Sequence, residues 1–470
     1  MKKRTLLISM VLACVMLLAS CQGLAEALRP APKTAEELWE RIDEVMQEYD
    51  AYALSLELDM VMVVEGYAVD STATGTIIED NRGEDYYYYS ETNANVTCDE
   101  LNIKQTARSI SAYLDGKAFE FRGDGTYERK LYCRMTEEEY EAYRALDQST
   151  EEQDEELNFQ DCTTADFVRN EDKTWTLTYS GYTKKTINRL TSAFSTQDMD
   201  VFGADIVDIH VTLAADEDYR VTGITMAFEF DTPEGKTPAP AMDVRMELLA
   251  MGDEVVRLTD MLEQSKYKKV DDLAICKQID HMLQDRYDAE KGEFEYEMSQ
   301  TVKVMGQSQT FKETDWVKYG VEDGAFYYDI DAESEEVTTK ATYKNGKQTF
   351  TVDGETYDVE QTEQEAKDFV KGMISDLRMG YNSEYITNVT KKSGGVWEIE
   401  LALSDTSLLE EFYEQLGGTY KSATQTVRVT VKDGKLIQIS NYIKASGSVK
   451  SGRDTYEVSW ALQTETVFQD

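Results

Sequence analysis

The sequence predicts an α+β fold of two tandem domains, each a curved antiparallel β-sheet covered by helices. Three observations support this prediction: a set of features that recurs in the same order in both halves, long segments in which apolar residues alternate, and amphipathic helices with capping signals. The chain has 470 residues, 41% of them hydrophobic, which is enough apolar material for two or three packed domains. We expect the first domain at residues 34–257, a helical linker at 258–272 and the second domain at 273–470.

Each half opens with a predicted amphipathic helix, at Leu38–Tyr52 in the first half and at Ile275–Ala289 in the second. Later in each half, at residues 136–139 and 362–365, a threonine is followed three positions on by a glutamate. This spacing is the capping box, in which the threonine hydroxyl and the glutamate carboxylate satisfy backbone N–H groups at the start of a helix. Both halves are therefore expected to carry helices at matching places.

A long alternating strand follows the first helix in each half. Its apolar positions are Leu54, Leu56, Leu58, Met60 and Met62 in the first half, and Phe294, Tyr296, Met298, Val302 and Val304 in the second. Because successive side chains of a strand point to opposite faces, the alternation predicts one buried face and one wet face. Asp115-Gly116 and Asn345-Gly346 then predict tight type I′ hairpin turns, and a later strand in each half carries Trp175 or Trp397.

The charge balance excludes one class of partner. The chain has 48 Lys and Arg residues against 91 Asp and Glu residues, for a formal net charge of −43. A surface this acidic repels phosphate backbones, so we do not expect the protein to bind nucleic acid.

The N-terminal residues predict a location outside the cytoplasm. Basic residues at positions 2–4 precede an apolar segment, Leu6–Leu18, which has the length of a signal peptide. Leu18-Ala19-Ser20-Cys21 resembles a bacterial lipobox, and this resemblance implies that the Cys21 thiol carries a lipid. The alternatives are a plain membrane anchor, for which the segment is shorter than the ~20 apolar residues that span a bilayer, and an ordinary secretory cleavage site.

The lipobox resemblance also implies how the mature protein is attached. Residues 1–20 are the expected signal peptide, and residues 21–33, which contain Pro30 and Pro32, are the expected tether. A diacylglyceryl group supplies two acyl chains, which suffice for stable anchoring. We therefore expect a lipid-anchored protein at the extracytoplasmic face of the cell membrane.

Each half has the element order helix, strands, helix, strands, helix, strands. Together with the lipobox, this order resembles the LolA/LppX/LprG-like lipoproteins, and the resemblance covers nearly all of the mature chain, once per half. It implies that each domain is a half-barrel whose hydrophobic cavity is closed by helices, and that the ligand is a lipid or another apolar molecule. It carries over no catalytic residue.

Two interpretations of the inward strand faces remain open. In the first, these faces line ligand cavities, and the candidate ligand-binding residues are Leu56, Leu58, Met60, Met62, Trp175, Tyr296, Met298 and Trp397. In the second, the same side chains pack against the helices, as apolar faces do in any antiparallel sheet.

No motif indicates an enzyme, a cofactor or a metal site. The chain has only two histidines, and His210, within an alternating strand, is expected to be structural. The carboxylate-rich segments 216–218 and 329–336 lack the glycine-centred loop and terminal glutamate of an EF-hand, so solvated loop charge is the favoured interpretation and weak calcium binding the alternative. We therefore predict no catalytic residue, no metal and no cofactor.

Four cysteines remain outside the signal peptide and the lipidation site: Cys98, Cys133, Cys162 and Cys276. None forms a CxxC pair, and their wide spacings match no disulfide framework. The sequence is compatible with disulfide bonds and with buried free thiols.

The sequence thus supports two hypotheses on function. The first is a membrane-anchored extracytoplasmic lipoprotein that binds a lipid or other apolar ligand in its half-barrels. The second is a cell-surface protein-interaction or sensing module with closed cores and no small ligand, whose partner is a protein of the cell envelope.

Overall fold

The computed structural model describes residues 31–64, 66–82, 85–125, 127–146, 162–184, 186–187, 205–231, 239–259, 262–334, 337–379, 381–403, 406–415, 417–451 and 454–469. This part of the chain contains 23 β-strands in two sheets and five α-helices. Backbone contacts group the chain into two compact units. The first unit comprises Met1–Asp70 and Glu155–Gly252, and the second comprises Ser71–Asp154 and Asp253–Asp470.

The first sheet has twelve strands. They are β1 (Ala51–Val64), β2 (Tyr67–Asp80), β3 (Tyr87–Cys98), β4 (Ile103–Leu114), β5 (Lys117–Gly123), β6 (Glu128–Arg134), β7 (Thr164–Arg169), β8 (Trp175–Ser180), β9 (Asp205–Ala215), β10 (Val221–Asp231), β11 (Ala241–Met251) and β12 (Lys268–Lys269). Their order across the sheet is β12-β6-β5-β4-β3-β2-β1-β11-β10-β9-β8-β7. The short β12 runs parallel to β6, whereas pairs such as β3 with β4 and β9 with β10 are antiparallel.

The second sheet has eleven strands. They are β13 (Gly292–Val304), β14 (Gln307–Glu322), β15 (Ala325–Ser334), β16 (Thr338–Lys344), β17 (Lys347–Val352), β18 (Glu355–Glu360), β19 (Ile386–Lys391), β20 (Val396–Leu401), β21 (Gly418–Lys432), β22 (Lys435–Ser451) and β23 (Asp454–Gln469). Their order is β18-β17-β16-β15-β14-β13-β23-β22-β21-β20-β19. Apart from β12, both sheets therefore follow one order, in which the first strand lies beside the last.

The five α-helices are α1 (Ala35–Met46), α2 (Glu137–Ala145), α3 (Ala274–Asp288), α4 (Glu363–Met379) and α5 (Ser407–Gln415). Both predicted capping boxes are confirmed. The Thr136 hydroxyl accepts from the Glu139 N–H while the Glu139 carboxylate accepts from the Thr136 N–H, and Thr362 and Glu365 make the same reciprocal pair. In the described residues, no helix is both long enough and apolar enough to cross a membrane.

The two predicted hairpin turns are confirmed as well. Asp115 and Gly116 have φ angles of 52° and 68°, and Asn345 and Gly346 have φ angles of 55° and 80°. A type I′ turn needs positive φ at both central residues, which an Asx-Gly pair adopts at low cost.

The predicted fold class, an α+β fold with half-barrels covered by helices, is wrong. The protein is mainly β, with two sheets of twelve and eleven strands and only five α-helices in the described residues. At about 4.8 Å between strands, eleven strands extend over about 50 Å, and the helices, of 9 to 17 residues, are too few and too short to cover such sheets. The alternation identified half-buried strands, but it does not say whether helices bury them.

The helical linker predicted at 258–272 is also not α-helical in its described residues. It contains a 3₁₀ turn at Gln264–Lys266 and the two-residue strand β12. A hydrogen bond from the Val270 N–H to the Tyr132 carbonyl ties this segment to β6.

The core of the first unit lies where α1 meets β8 and β9. Leu38 and Ile42 of α1 are buried in one apolar cluster with Leu177 of β8 and Ile209 and Leu213 of β9. The alternation of β8 and β9 therefore buries one face of each strand, as the sequence pattern predicts.

The core of the second unit is rich in tyrosine. Tyr140, Tyr143 and Tyr328 are among its fully buried side chains, and Tyr140 stacks on Tyr113 with ring centroids 4.7 Å apart. Such rings fill volume in rigid shapes while their hydroxyl groups require partners. A buried tyrosine hydroxyl that lacks a partner is therefore informative in this unit.

Candidate functional site

The structure places the predicted ligand-binding residues of β1 on one apolar face of the first unit. Leu56, Leu58, Met60 and Met62 are half-buried and pack around a small cluster formed by Met242 and Val244 of β11. Their period-2 spacing brings them together as the sequence predicts.

Trp175, the fifth candidate in the first half, lies in a packed core. It is 3% exposed and stacks on Tyr219 with ring centroids 5.8 Å apart. Its Nε1 has no hydrogen-bond partner among the described residues. The structure thus favours packing over ligand contact for this residue.

In the second half, Tyr296 and Met298 are half-buried on β13, whereas Trp397 is 7% exposed and belongs to the core of the second unit. Lys391 lies 5.0 Å from the centroid of the Trp397 ring. Cys21, the predicted lipidation site, lies outside the described residues.

Tyr296 lies directly opposite Asp315 of β14, and this aspartate carries an unusual carboxyl group. Its Oδ1 atom is buried and has no hydrogen-bond partner in the described part of the chain. Burial, with a smaller contribution from the neighbouring Glu313, raises the pKa of Asp315 to about 6. The folded protein therefore keeps this carboxyl group protonated up to a higher pH than the unfolded chain does.

This raised pKa predicts a pH dependence of stability. The stabilisation of the folded protein by protonated Asp315 is fully present below pH ~3.9, the pKa of an aspartate in the unfolded chain. It is lost as the pH rises through about 6, the pKa of Asp315 in the folded protein. Urea unfolding between pH 4 and pH 8 should show wild type losing stability across this window, and Asp315→Asn losing less. Parallel curves for the two proteins would contradict the assignment.

The four cysteines that the sequence left open are thiols and form no disulfide. Burial raises the pKa of the Cys133 thiol to about 12 and raises that of Cys276 well above its usual value. Because the thiolate is the reactive form, neither residue is suited to nucleophilic catalysis.

The second unit contains a cavity of about 340 Å³ that brings buried charged side chains together. We call it the Arg129 cavity. Its charged lining residues are Glu120, Arg122, Arg129, Lys277, Asp280 and Glu384. Three are basic and three are acidic, so the lining is formally balanced in a chain whose net charge is −43. Its volume is at the lower end of the range for small-molecule pockets.

A hairpin supplies the buried part of this lining. Glu120 and Arg122 are two residues apart on β5, and Arg129 of β6 lies directly opposite Arg122. Strand geometry therefore puts all three side chains on one face. Glu120 and Arg129 are 8% and 7% exposed, and Arg129 Nη2 donates to Glu120 Oε2 at 2.9 Å.

Arg129 is also fixed from a distant part of the chain. Its Nη1 donates to the Ser383 carbonyl oxygen at 2.6 Å. Its Nε, in contrast, is buried and has no hydrogen-bond partner among the described residues. The guanidinium group therefore has one N–H donor for which the described residues supply no acceptor.

Helices α2 and α3 form another part of the wall. Tyr143 of α2 is 1% exposed, its ring lies 3.8 Å from Lys277 Nζ, and its hydroxyl has no partner in the described residues. His281 of α3 donates from Nε2 to the Leu146 carbonyl oxygen at 2.6 Å. Two buried polar atoms without partners thus belong to side chains that line one cavity.

The amino-acid sequence alone does not identify this site. Glu120 and Arg122 alternate with Phe119 and Phe121, so the pattern marks the phenylalanines as the buried face and the charged residues as the wet face. A weak signal did exist, because an acidic and a basic residue nine positions apart are close enough in sequence to pair across a hairpin. Nothing local indicates that a distant segment buries the pair.

Comparisons with known proteins leave the function open. No family model matches the chain, and no curated protein matches it at a significant level. One similar solved structure is the ywiB protein from Bacillus subtilis, with 9% sequence identity, a match that covers 39% of this chain and 96% of that chain, and a TM-score of 0.11. A second is a putative AttH from Nitrosomonas europaea, with 6% identity, coverage of 88% of this chain and 93% of that chain, and a TM-score of 0.13. A third is OprD from Pseudomonas aeruginosa, with 7% identity, coverage of 89% of this chain and 95% of that chain, and a TM-score of 0.12. TM-scores this low support no relationship in fold or function, so the function has to be argued from the residues of this chain.

Proposed function

We propose that the chain is a lipid-anchored extracytoplasmic binding protein without catalytic activity, and that its ligand is a small polar molecule in the Arg129 cavity. The observation that supports this proposal is the pair of buried atoms without partners, Arg129 Nε and Tyr143 Oη. A buried polar group without a partner costs about 1–3 kcal/mol. A polar ligand or an ordered water would remove that cost once a small movement of the lining side chains opens these two covered atoms to the cavity.

The donors define the chemistry of the ligand. Arg129 Nε can only donate, so it requires an acceptor oxygen such as that of a carboxylate. Arg122 and Lys277 add positive charge, while Asp280 and Glu384 offer acceptors to an ammonium group. A small zwitterion, such as a free amino acid, matches both sets.

An apolar ligand fits this chain less well. That hypothesis depended on half-barrels with helical lids, a fold that the protein does not have. Two of its proposed lining residues, Trp175 and Trp397, belong to packed cores. The half-buried face around Met60 and Met62 still favours an apolar ligand, as do the half-buried Tyr296 and Met298 of β13.

A thermal-shift screen with free amino acids and small carboxylic acids tests the proposal. At least one of them should raise the Tm of wild type, because a ligand that binds only the folded state stabilises it. Tyr143→Phe removes a single hydroxyl, worth about 0.5–1.5 kcal/mol, so the affinity of that ligand should fall roughly 2- to 12-fold. Tyr357→Phe, at an exposed position on β18, is the matched control and should bind as wild type does.

The anchor makes a separate prediction. Cys21→Ala should abolish incorporation of a clickable fatty acid and leave an unprocessed precursor or a released protein, with folding unchanged. The reason is that Cys21 lies on the predicted tether, outside both predicted domains. Equal labelling of wild type and variant would rule out lipidation at this position.

A further inference from the structure

The first unit carries a second arrangement of interest, on β9 and β10. Asp208 and His210 are two residues apart on β9, and Glu229 of β10 lies directly opposite Asp208. Side chains at i and i+2 share a face, and so do directly opposed residues of antiparallel strands. The register therefore brings one imidazole and two carboxylates to one face of the sheet.

The distances between these donor atoms are short. His210 Nε2 lies 3.3 Å from Glu229 Oε2 and 4.0 Å from Asp208 Oδ2, and one ligand atom from each residue lies within 4.8 Å of the others. Tetrahedral donors bound at about 2.1 Å from a zinc ion are about 3.4 Å apart. His210 and Glu229 are more than half exposed, so small rotations of their side chains suffice to reach that geometry.

Asp208 is the fixed member of the group. Its Oδ1 accepts hydrogen bonds from the N–H groups of Gly181 at 2.9 Å, Tyr182 at 3.3 Å and Ile209 at 2.8 Å. The Gly181 N–H also donates to Oδ2, at 3.1 Å. Together these bonds orient the carboxylate, and Oδ2 lies 4.0 Å from His210 Nε2 with its second lone pair still able to bind a metal. Ligating carboxylates in metalloproteins are commonly held in this way by bonds to their other oxygen.

We propose that Asp208, His210 and Glu229 bind a divalent transition-metal ion, with Zn²⁺ as the best fit. Zinc accepts imidazole nitrogen and carboxylate oxygen together and leaves its fourth position to water when the protein supplies three ligands. Ca²⁺ and Mg²⁺ instead prefer six or more oxygen ligands. With a neutral histidine the three side chains carry a charge of about −2, which matches a divalent cation.

The residues of this site belong to the first unit, whereas those of the Arg129 cavity belong to the second. The site assigns a role to one of only two histidines in the chain. A simple hydrogen bond between His210 and Glu229 is the competing interpretation, and metal titration separates the two.

The test is isothermal titration of the full mature chain with ZnCl₂ in a non-chelating buffer. Excess Ca²⁺ should be present to occupy surface carboxylates that bind divalent cations weakly. Wild type should bind one equivalent of Zn²⁺ tightly. His210→Gln and Glu229→Gln should each lower the affinity for that equivalent at least tenfold. His281→Gln and Glu247→Gln, which change a histidine and an exposed carboxylate elsewhere, should retain it.

A spectroscopic readout checks where the metal sits. With ¹⁵N-labelled histidine, one equivalent of Zn²⁺ should shift the imidazole signals of His210 and leave those of His281 in place. Equal titration curves for wild type and His210→Gln, or no shift at His210, would overturn the assignment and identify the contact as a simple hydrogen bond.

Discussion

Glu120→Ala is expected to lower the free energy of unfolding by about 3–5 kcal/mol, because it leaves the Arg129 guanidinium buried without its counter-ion. Both side chains of this pair are at most 10% exposed, and their charged atoms are 2.9 Å apart. Urea unfolding followed by circular dichroism measures the effect.

Glu384→Ala is the matched control for this prediction. Glu384 also lines the Arg129 cavity, but its side chain is 62% exposed and lies 3.9 Å from Arg122. Exposed ion pairs contribute about 0–1 kcal/mol, so the control should stay within that range of wild type. A loss of less than about 1 kcal/mol in Glu120→Ala would mean that the Glu120–Arg129 pair is not buried as described.

Asp80→Asn is expected to cost roughly 3 kcal/mol. Asp80, the last residue of β2, is 2% exposed and receives ion pairs from Arg82 at 2.9 Å and from Arg257 at 2.8 Å. The cost lies at the lower end of the range for a broken buried pair because both arginines are more than a quarter exposed. They can therefore regain water once the carboxylate is lost.

Asp80 also gives this prediction a pH signature. Hydrogen bonds from Arg82, and then from Arg257, hold the pKa of Asp80 well below its usual range. A carboxyl group whose pKa is lowered by folding stabilises the folded protein at pH values above its pKa in the unfolded chain, ~3.9. This stabilisation is lost as the pH falls through its pKa in the folded protein. The difference between wild type and Asp80→Asn should therefore narrow as the pH falls below about 4.

Asp253→Asn is the control, since Asp253 also contacts Arg82, at 3.5 Å, but is fully exposed. The free energy of unfolding of Asp253→Asn should be close to that of wild type at every pH. A similar loss of stability in Asp80→Asn and Asp253→Asn would show that the effect comes from Arg82, which both aspartates contact, and not from the burial of Asp80.

The elements that the sequence predicted well are those fixed by nearby residues. The capping boxes at Thr136 and Thr362 and the turns at Asp115-Gly116 and Asn345-Gly346 depend on contacts within a few positions, and they are as predicted. Alternation likewise located β1 and β13, because period 2 is a property of the strand itself.

What the sequence missed depends on contacts between distant segments. Trp175 and Trp397 recur at equivalent places, but whether such a residue lines a cavity or fills a core depends on what covers it. Part of the wall of the Arg129 cavity is Ser383, which lies 254 positions from Arg129 and accepts a hydrogen bond from it. No local pattern encodes that contact. The fold class failed for the same reason, since alternation marks a face for burial without naming the element that buries it.

The central claim, a small polar ligand in the Arg129 cavity, is tested most directly by mass spectrometry of what the folded protein releases on denaturation. Wild type should release a small carboxylate-bearing compound in an amount close to one per chain. Tyr143→Phe should release less of it, and Tyr357→Phe should release as much as wild type. Release of lipid alone, or of no small molecule by a protein that also shows no thermal shift, would contradict the claim and favour an apolar ligand or a closed interaction module instead.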